Sequence, residues 1–332
     1  MKLLIRVLLA GLIAAGSLRS VRAGDVSYYG IIKSQRFQQT NSTPPTALAS
    51  NAFGFSAFVF ASTNFAVTNA TVTAPAPSPT PTRTLVPDSG GTGLLFDETF
   101  NTQSALDTAY PSGSFGTYYS FTVYATNDGV RSCTASFFGA SAPPVPQVSN
   151  FAAAQQIDTR TNFTLTWNPL NGSSFDIVQV LVLGAASTAV FSSPAPFSSN
   201  ALNGASTSVV IPAYALPPGS RLTGHLSIAK PALPSSSYPG ATGIGALAKD
   251  TEFPLVTLPP APPLLTVLSR NANPFVIGFT GESNRNYRLQ GSTNLSTWLD
   301  LQLTNSPTGS GAITDSTSLT FTQRFYRIQV VR

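Results

Sequence analysis

Phe163-Thr164-Leu165-Thr166-Trp167-Asn168-Pro169 sets a bulky apolar side chain at every second position, with threonines between, and then stops at Asn-Pro. Period two is the spacing of a strand with one buried face, and a helix would scatter residues 163, 165 and 167 around its axis. The alternation recurs at Tyr119-Phe121-Val123 and at Phe275-Ile277-Phe279. Helical turns are expected only at Ser104–Tyr110 and Asn150–Gln156. The expected class is therefore all-β: multiple antiparallel β-sandwich modules, since many short strands with turn signals and short connections fold that way.

Of the 332 residues 42% are hydrophobic and only 9% charged, against about 25% charged in an ordinary domain. The 27 prolines and 25 glycines read as turns and linkers, because 22 Phe and 10 Tyr supply the apolar bulk that disordered chains lack. Two proline clusters, Ala142–Pro146 and Leu258–Pro263, interrupt the strand pattern, since proline cannot continue a ladder and extends as a spacer. They give an N-terminal β domain (24–141), a middle module (142–258) and a small C-terminal module (264–332). The proline-rich stretch 74–81 is expected to be a loop within the first of these.

Lys2 and Arg6 precede the apolar run Val7–Leu18, and Val21-Arg22-Ala23 has the small-x-small form of a cleavage signal. Residues 1–23 are thus expected to be a secretory signal peptide cut after Ala23, leaving no membrane span. The run is broken by Gly11 and Gly16 and is short for a transmembrane helix. Lys2, Arg6, Arg19 and Arg22 account for four of the net +5 charges, so the remaining chain is nearly neutral, at +1. Its cations are scattered, without the basic patch of a nucleic-acid binder, and nucleic acid is excluded as a partner. Cys133 is the only cysteine, so no internal disulfide forms, and its alternating surroundings predict a buried thiol.

The middle module resembles a fibronectin type III domain. Pro146–Phe151 is similar to the first strand, Phe163–Pro169 to the second with its core tryptophan, and Phe175–Leu183 to the third. Thr207–Ile211, Leu216-Pro217-Pro218-Gly219 and Arg221–Lys230 follow the family's order of strand, corner and penultimate strand, with Leu222 where the family usually has a corner tyrosine. The C-terminal module resembles short β-sandwich repeats of secreted bacterial proteins of unassigned activity, through Tyr287–Trp298 and Phe325-Tyr326-Arg327-Ile328.

Catalytic groups are scarce. His225 is the only histidine, and its alternation with Leu226 predicts that it faces solvent beside Thr223 and Ser227, with no nucleophile elbow in the chain. One histidine and one cysteine do not furnish an ordinary zinc site. Asp97 and Glu98 are adjacent and point to opposite faces of a strand, whereas Asp250 and Glu252 share a face and are expected in a solvated turn. The loops Asp88–Gly93 and Asn127-Asp128-Gly129 lack the carboxylate spacing of a calcium site, and the second reads as a hairpin turn. No metal, cofactor or catalytic residue is called for.

Ligand contact would instead use rings. In the pairs Tyr28-Tyr29 and Tyr118-Tyr119 only one ring of each is expected to enter the core, so Tyr28, Tyr29 and Tyr118 are the candidate ligand-binding residues, with Tyr124, Gln35, Gln38 and Gln39 in support. Trp167 and Trp298 are expected to be core anchors. The expected function is that of an exported, non-catalytic cell-surface or extracellular protein with a structural or adhesive role. The alternative is a polysaccharide-binding protein using exposed tyrosines, and the third reading is a glycosidase or esterase. The partners expected are polysaccharide or cell-envelope components.

Overall fold

The computed structural model describes residues 24–331 apart from 80–81, 89, 114–115, 197 and 270–274. The expected signal peptide, residues 1–23, lies outside the described residues. The chain divides into two compact units between Leu258 and Pro259.

The first unit begins with β1 (Val26–Gln38), β2 (Thr46–Ala47), β3 (Phe53–Ala61), β4 (Val67–Thr73), β5 (Thr82–Thr84), β6 (Val86–Pro87) and β7 (Gly93–Phe100). A short helix α1 (Gln103–Ala109) follows, then β8 (Tyr119–Ala125) and β9 (Gly129–Ala135). Thr102 caps α1 by accepting the Ala105 N–H, and the helix plugs Leu106 into the core. The Asn127-Asp128-Gly129 turn joins β8 to β9 as an antiparallel hairpin, with Gly129 at positive φ. The sheet β5-β4-β8-β9 packs on the β1-β3-β7 sheet around Tyr29, Ile31, Phe55, Phe121 and Val123. There Phe55 and Tyr110 stack with centroids 3.7 Å apart. Cys133 belongs to this core, and burial pushes its thiol up to about 12.

The unit continues through β10 (Phe163–Thr166), β11 (Ile177–Leu183), β12 (Ala189–Ser192), β13 (Ser208–Ile211), β14 (Arg221–Pro231) and β15 (Thr242–Val256). β10 pairs with β13, and Val148 bridges to Trp167 beside them. This layer faces β12-β11-β14-β15 across a core of Trp167, Leu165, Leu226 and Phe253. The two layers and their strand order make residues 146–256 a fibronectin III-like β-sandwich. Trp167 is buried, and its indole N–H donates to the Ser206 carbonyl at 2.8 Å.

The two sandwiches share a sheet, which departs from the expected split at Ala142–Pro146. β15 uses one edge for β14 and the other for β1, in parallel register from Tyr28 opposite Thr242 to Gln38 opposite Glu252. The result is a nine-stranded sheet, β12-β11-β14-β15-β1-β3-β7-β6 with β2 beside β1. The expected antiparallel rule therefore fails at this seam, where strands more than 200 residues apart in sequence have ample chain to make a parallel crossover. The proline cluster is strapped to the body: Thr251 donates to the Pro146 carbonyl at 2.6 Å, and the Gln39 amide clamps both backbone groups of Val148.

The second unit is a small sandwich of β16 (Leu264–Ser269), β17 (Phe275–Thr280), β18 (Arg285–Ser292), β19 (Leu299–Ser306), β20 (Ser310–Asp315) and β21 (Phe325–Val331). Sheets β16-β17-β20 and β19-β18-β21 enclose Ile277, Phe279, Tyr287, Leu289 and Ile313. In the Phe325-Tyr326-Arg327 run, Tyr326 donates to the buried Asp315 carboxylate at 2.9 Å, beside Arg324 at 2.7 Å, and Arg327 donates to the Gln290 side-chain oxygen at 2.8 Å. Trp298 is not the core anchor expected. It is only partly buried, outside the core cluster, with the Arg327 guanidinium 4.2 Å over its ring.

Candidate functional site

The expected ligand residues separate sharply. Tyr118 is 47% exposed, but Tyr28 and Tyr29 are both buried, correcting the expectation that one ring of that pair reaches solvent. Alternation does send the two rings to opposite faces of β1. Both faces are nonetheless buried there: Tyr29 enters the core beneath β9, and Tyr28 packs on Phe58 and Phe60 on the other side.

Tyr29 still belongs to the site, from below. Its hydroxyl lies 2.9 Å from Ser237 Oγ and donates to the Thr134 carbonyl at 3.2 Å. Ser237 Oγ accepts the Thr134 N–H at 2.7 Å and lies 3.0 Å from Ser235 Oγ. This relay ties the 235–237 loop to the end of β9. Ser235 is further held by paired backbone bonds to Gly243, and Leu233 by a bond to the Phe138 carbonyl. Burial raises the Tyr29 hydroxyl above the ordinary tyrosine range, so it stays protonated and available to donate.

Above the relay lies a cavity of about 420 Å³. Tyr118, Phe138 and Leu233 form its apolar walls, all three exposed, and the hydroxyls of Thr134, Ser136 and Ser235–Ser237 line the rest. None of the lining side chains is charged. Aromatic faces take the apolar side of a sugar ring, and fixed hydroxyls take its hydroxyls, so the arrangement suits a neutral polyhydroxylated ligand.

Two glycines place the groove, and the sequence reading passed over them. A methyl on Gly245 would collide with the Ser136 carbonyl, so only glycine lets the end of β9 lie against β15. Gly243 gives its space to the Tyr29 ring, with Tyr29 Oη 2.7 Å from where a Cβ would stand. Gly243-Ile244-Gly245 within an otherwise regular strand was the available signal, since strand glycines mark a close backbone approach.

The catalytic-type groups lie elsewhere, and His225 and Asp250 among them are buried. His225 does not face solvent, and Asp250 is not in a solvated turn. Both sit in the middle of their strands, buried on the face of the shared sheet that also carries Tyr28. His225 Nδ1 lies 3.0 Å from one Asp250 oxygen and Ser227 donates to the other at 2.7 Å. Histidine and serine thus share one carboxylate, whereas nucleophile activation needs the serine on the histidine. Glu252 pairs loosely with Arg36 at 3.5 Å. Of the supporting residues, Gln39 is buried in its clamp on Val148, while Gln38 and Tyr124 are exposed.

The same face holds four buried polar atoms with no hydrogen-bond partner among the described residues: Tyr28 Oη, Ser34 Oγ, Ser56 Oγ and Gln179 Oε1. An unpaired buried hydroxyl is a cost without a return. Tyr28→Phe is therefore expected to raise stability by about 1 kcal/mol in urea unfolding. A loss of stability would show that the hydroxyl has a partner and that Tyr28 is not merely packing.

No family model matches the chain, and no curated protein matches it. Among solved structures, the first to third fibronectin domains of chicken CNTN1 align at 11% identity and TM-score 0.20, covering 87% of this chain and 88% of that one. A tetra-tandem repeat from the extending region of a large adhesion protein aligns at 13% identity and TM-score 0.26, covering 86% and 65%. The ICAM-5 D1–D4 ectodomain fragment aligns at 12% identity and TM-score 0.21, covering 84% and 71%. At such scores the fold rests on its own strand pairing. Among the described residues no helix is long and apolar enough to cross a membrane.

Proposed function

We propose that this is an exported, non-catalytic protein of the cell surface or extracellular space with an adhesive role, and that it holds a neutral polysaccharide in the Tyr118 groove. The observation that carries this reading is the groove itself: two exposed rings, Tyr118 and Phe138, over a bed of hydroxyls with no charge in the lining. The shared sheet supports the structural side of the role, because it makes one stiff body of two sandwiches. The single histidine, engaged with a carboxylate instead of a nucleophile, supports a non-enzyme.

Co-sedimentation of the chain Gly24–Arg332 with a panel of insoluble neutral polysaccharides tests the reading. Retention on at least one is expected, weakened about tenfold by Tyr118→Ala, the equivalent of about 1.4 kcal/mol. The thermal midpoint should be unchanged, since Tyr118 is half-exposed. Retention that Tyr118→Ala leaves intact would move the contact off this groove, and no retention on any polymer would leave the structural role alone.

A further inference from the structure

We propose that the first unit contains a preformed pocket for an α-ammonium group, and that cleavage after Ala23 fills it with the new amino terminus of Gly24. The inference rests on the reading of residues 1–23 as a removable signal peptide. The site is mapped by Gly24 itself. A substituent standing where a Cβ would be lies 3.0 Å from Asp128 Oδ2, 3.4 Å from the Pro239 carbonyl oxygen and 3.7 Å from the Tyr238 ring. A carbon is poorly placed against two oxygens, but a nitrogen at these distances has a charge-assisted hydrogen bond, a second acceptor and an aromatic neighbour.

Glycine makes the exchange simple. Its Cα carries the amino nitrogen and two hydrogens, so a turn of about 120° about the Cα–C bond moves the nitrogen into the space mapped for the Cβ. That turn is free only when residue 24 is terminal and has no preceding peptide to carry along.

The surroundings are acidic. Asp25 is buried, and its carboxylate accepts from the Asn127 N–H at 2.5 Å, the Asn127 side-chain amide at 2.8 Å and the Asp128 N–H at 2.9 Å. Asp128 Oδ2 accepts the Asp25 N–H at 2.8 Å and the Tyr238 hydroxyl at 2.7 Å. Every one of these donors is neutral, and among the described residues neither carboxylate has a salt-bridge partner. Arg131 acts on Tyr238 only through space. The Asp128 carboxylate, 3.0 Å from the mapped position, gains from a positive charge there, and the amine of residue 24 is the cation that processing would deliver.

The test has two arms. The start of the exported protein is read by amino-terminal sequencing. Separately, a Gly24–Arg332 chain released from a fusion is compared with its Nα-acetylated form and with Asp128→Asn. The free amine is expected to titrate about one unit above the usual 7.7–8.0 of an α-amino group. The free chain should melt roughly 2–4 °C above the acetylated chain near pH 6.5. A raised amine pKa stabilises the fold below its unfolded value and is lost as pH rises through the folded one, so the two melting curves should converge by about pH 10. Asp128→Asn should return the amine to its usual range and erase the difference between free and acetylated chains. An ordinary amine pKa in the unmodified chain overturns the pocket. A start other than Gly24 overturns the processing reading whatever the released chain shows.

Discussion

Gly245→Ala is expected to abolish the folded first unit, with loss of soluble protein and of the cooperative urea transition. The added methyl meets the carbonyl of Ser136, which is backbone and cannot rotate away. Relief requires moving the end of β9 off β15, and with it the Tyr29–Ser237–Thr134 relay and the groove above. Damage of this kind belongs to the rare class above about 4 kcal/mol, comparable with the whole stability of many domains. A variant within about 1 kcal/mol of the parent would mean that β9 and β15 do not touch there, and the groove would lose its floor.

The second large effect is at Asp250. Asp250→Ala leaves His225 and Ser227 buried on the face of the shared sheet with neither of their hydrogen bonds to the carboxylate, at an expected cost of about 3–5 kcal/mol. Asp250→Asn keeps one acceptor oxygen but turns an amide N–H₂ toward one former donor, so a smaller loss of about 1–3 kcal/mol is expected. Urea unfolding of both variants at neutral pH checks the order. Equal, small losses would show that water reaches the trio, which the zero exposure of Asp250 does not permit.

How far the residues could be read in advance depended on the range of the interaction. Phe163-Thr164-Leu165-Thr166-Trp167 announced a strand with Trp167 inward because the pleat alone decides which side chains share a face. Asn127-Asp128-Gly129 announced a hairpin because the turn is a local matter of positive φ at glycine. The exposure of Tyr118 follows from the same rule applied to the pair Tyr118-Tyr119, where Tyr119 enters the core and donates to the Pro111 carbonyl. The rule misled at Tyr28-Tyr29 and at His225. Alternation says that two faces differ, and says nothing about whether the second is also covered.

The sequence by itself determined an all-β chain of sandwiches, the core role of Trp167, the buried thiol of Cys133 and the poverty of catalytic groups, because each follows from composition or from neighbours within a few residues. Only the tertiary structure decided that β1 and β15 lie side by side, since pairing between strands more than 200 residues apart leaves no local trace beyond a pair of glycines. That one seam joined two expected modules into a single body, put Tyr28, His225 and Asp250 on one face of it, and set Tyr29 beneath the groove that Tyr118 overlooks.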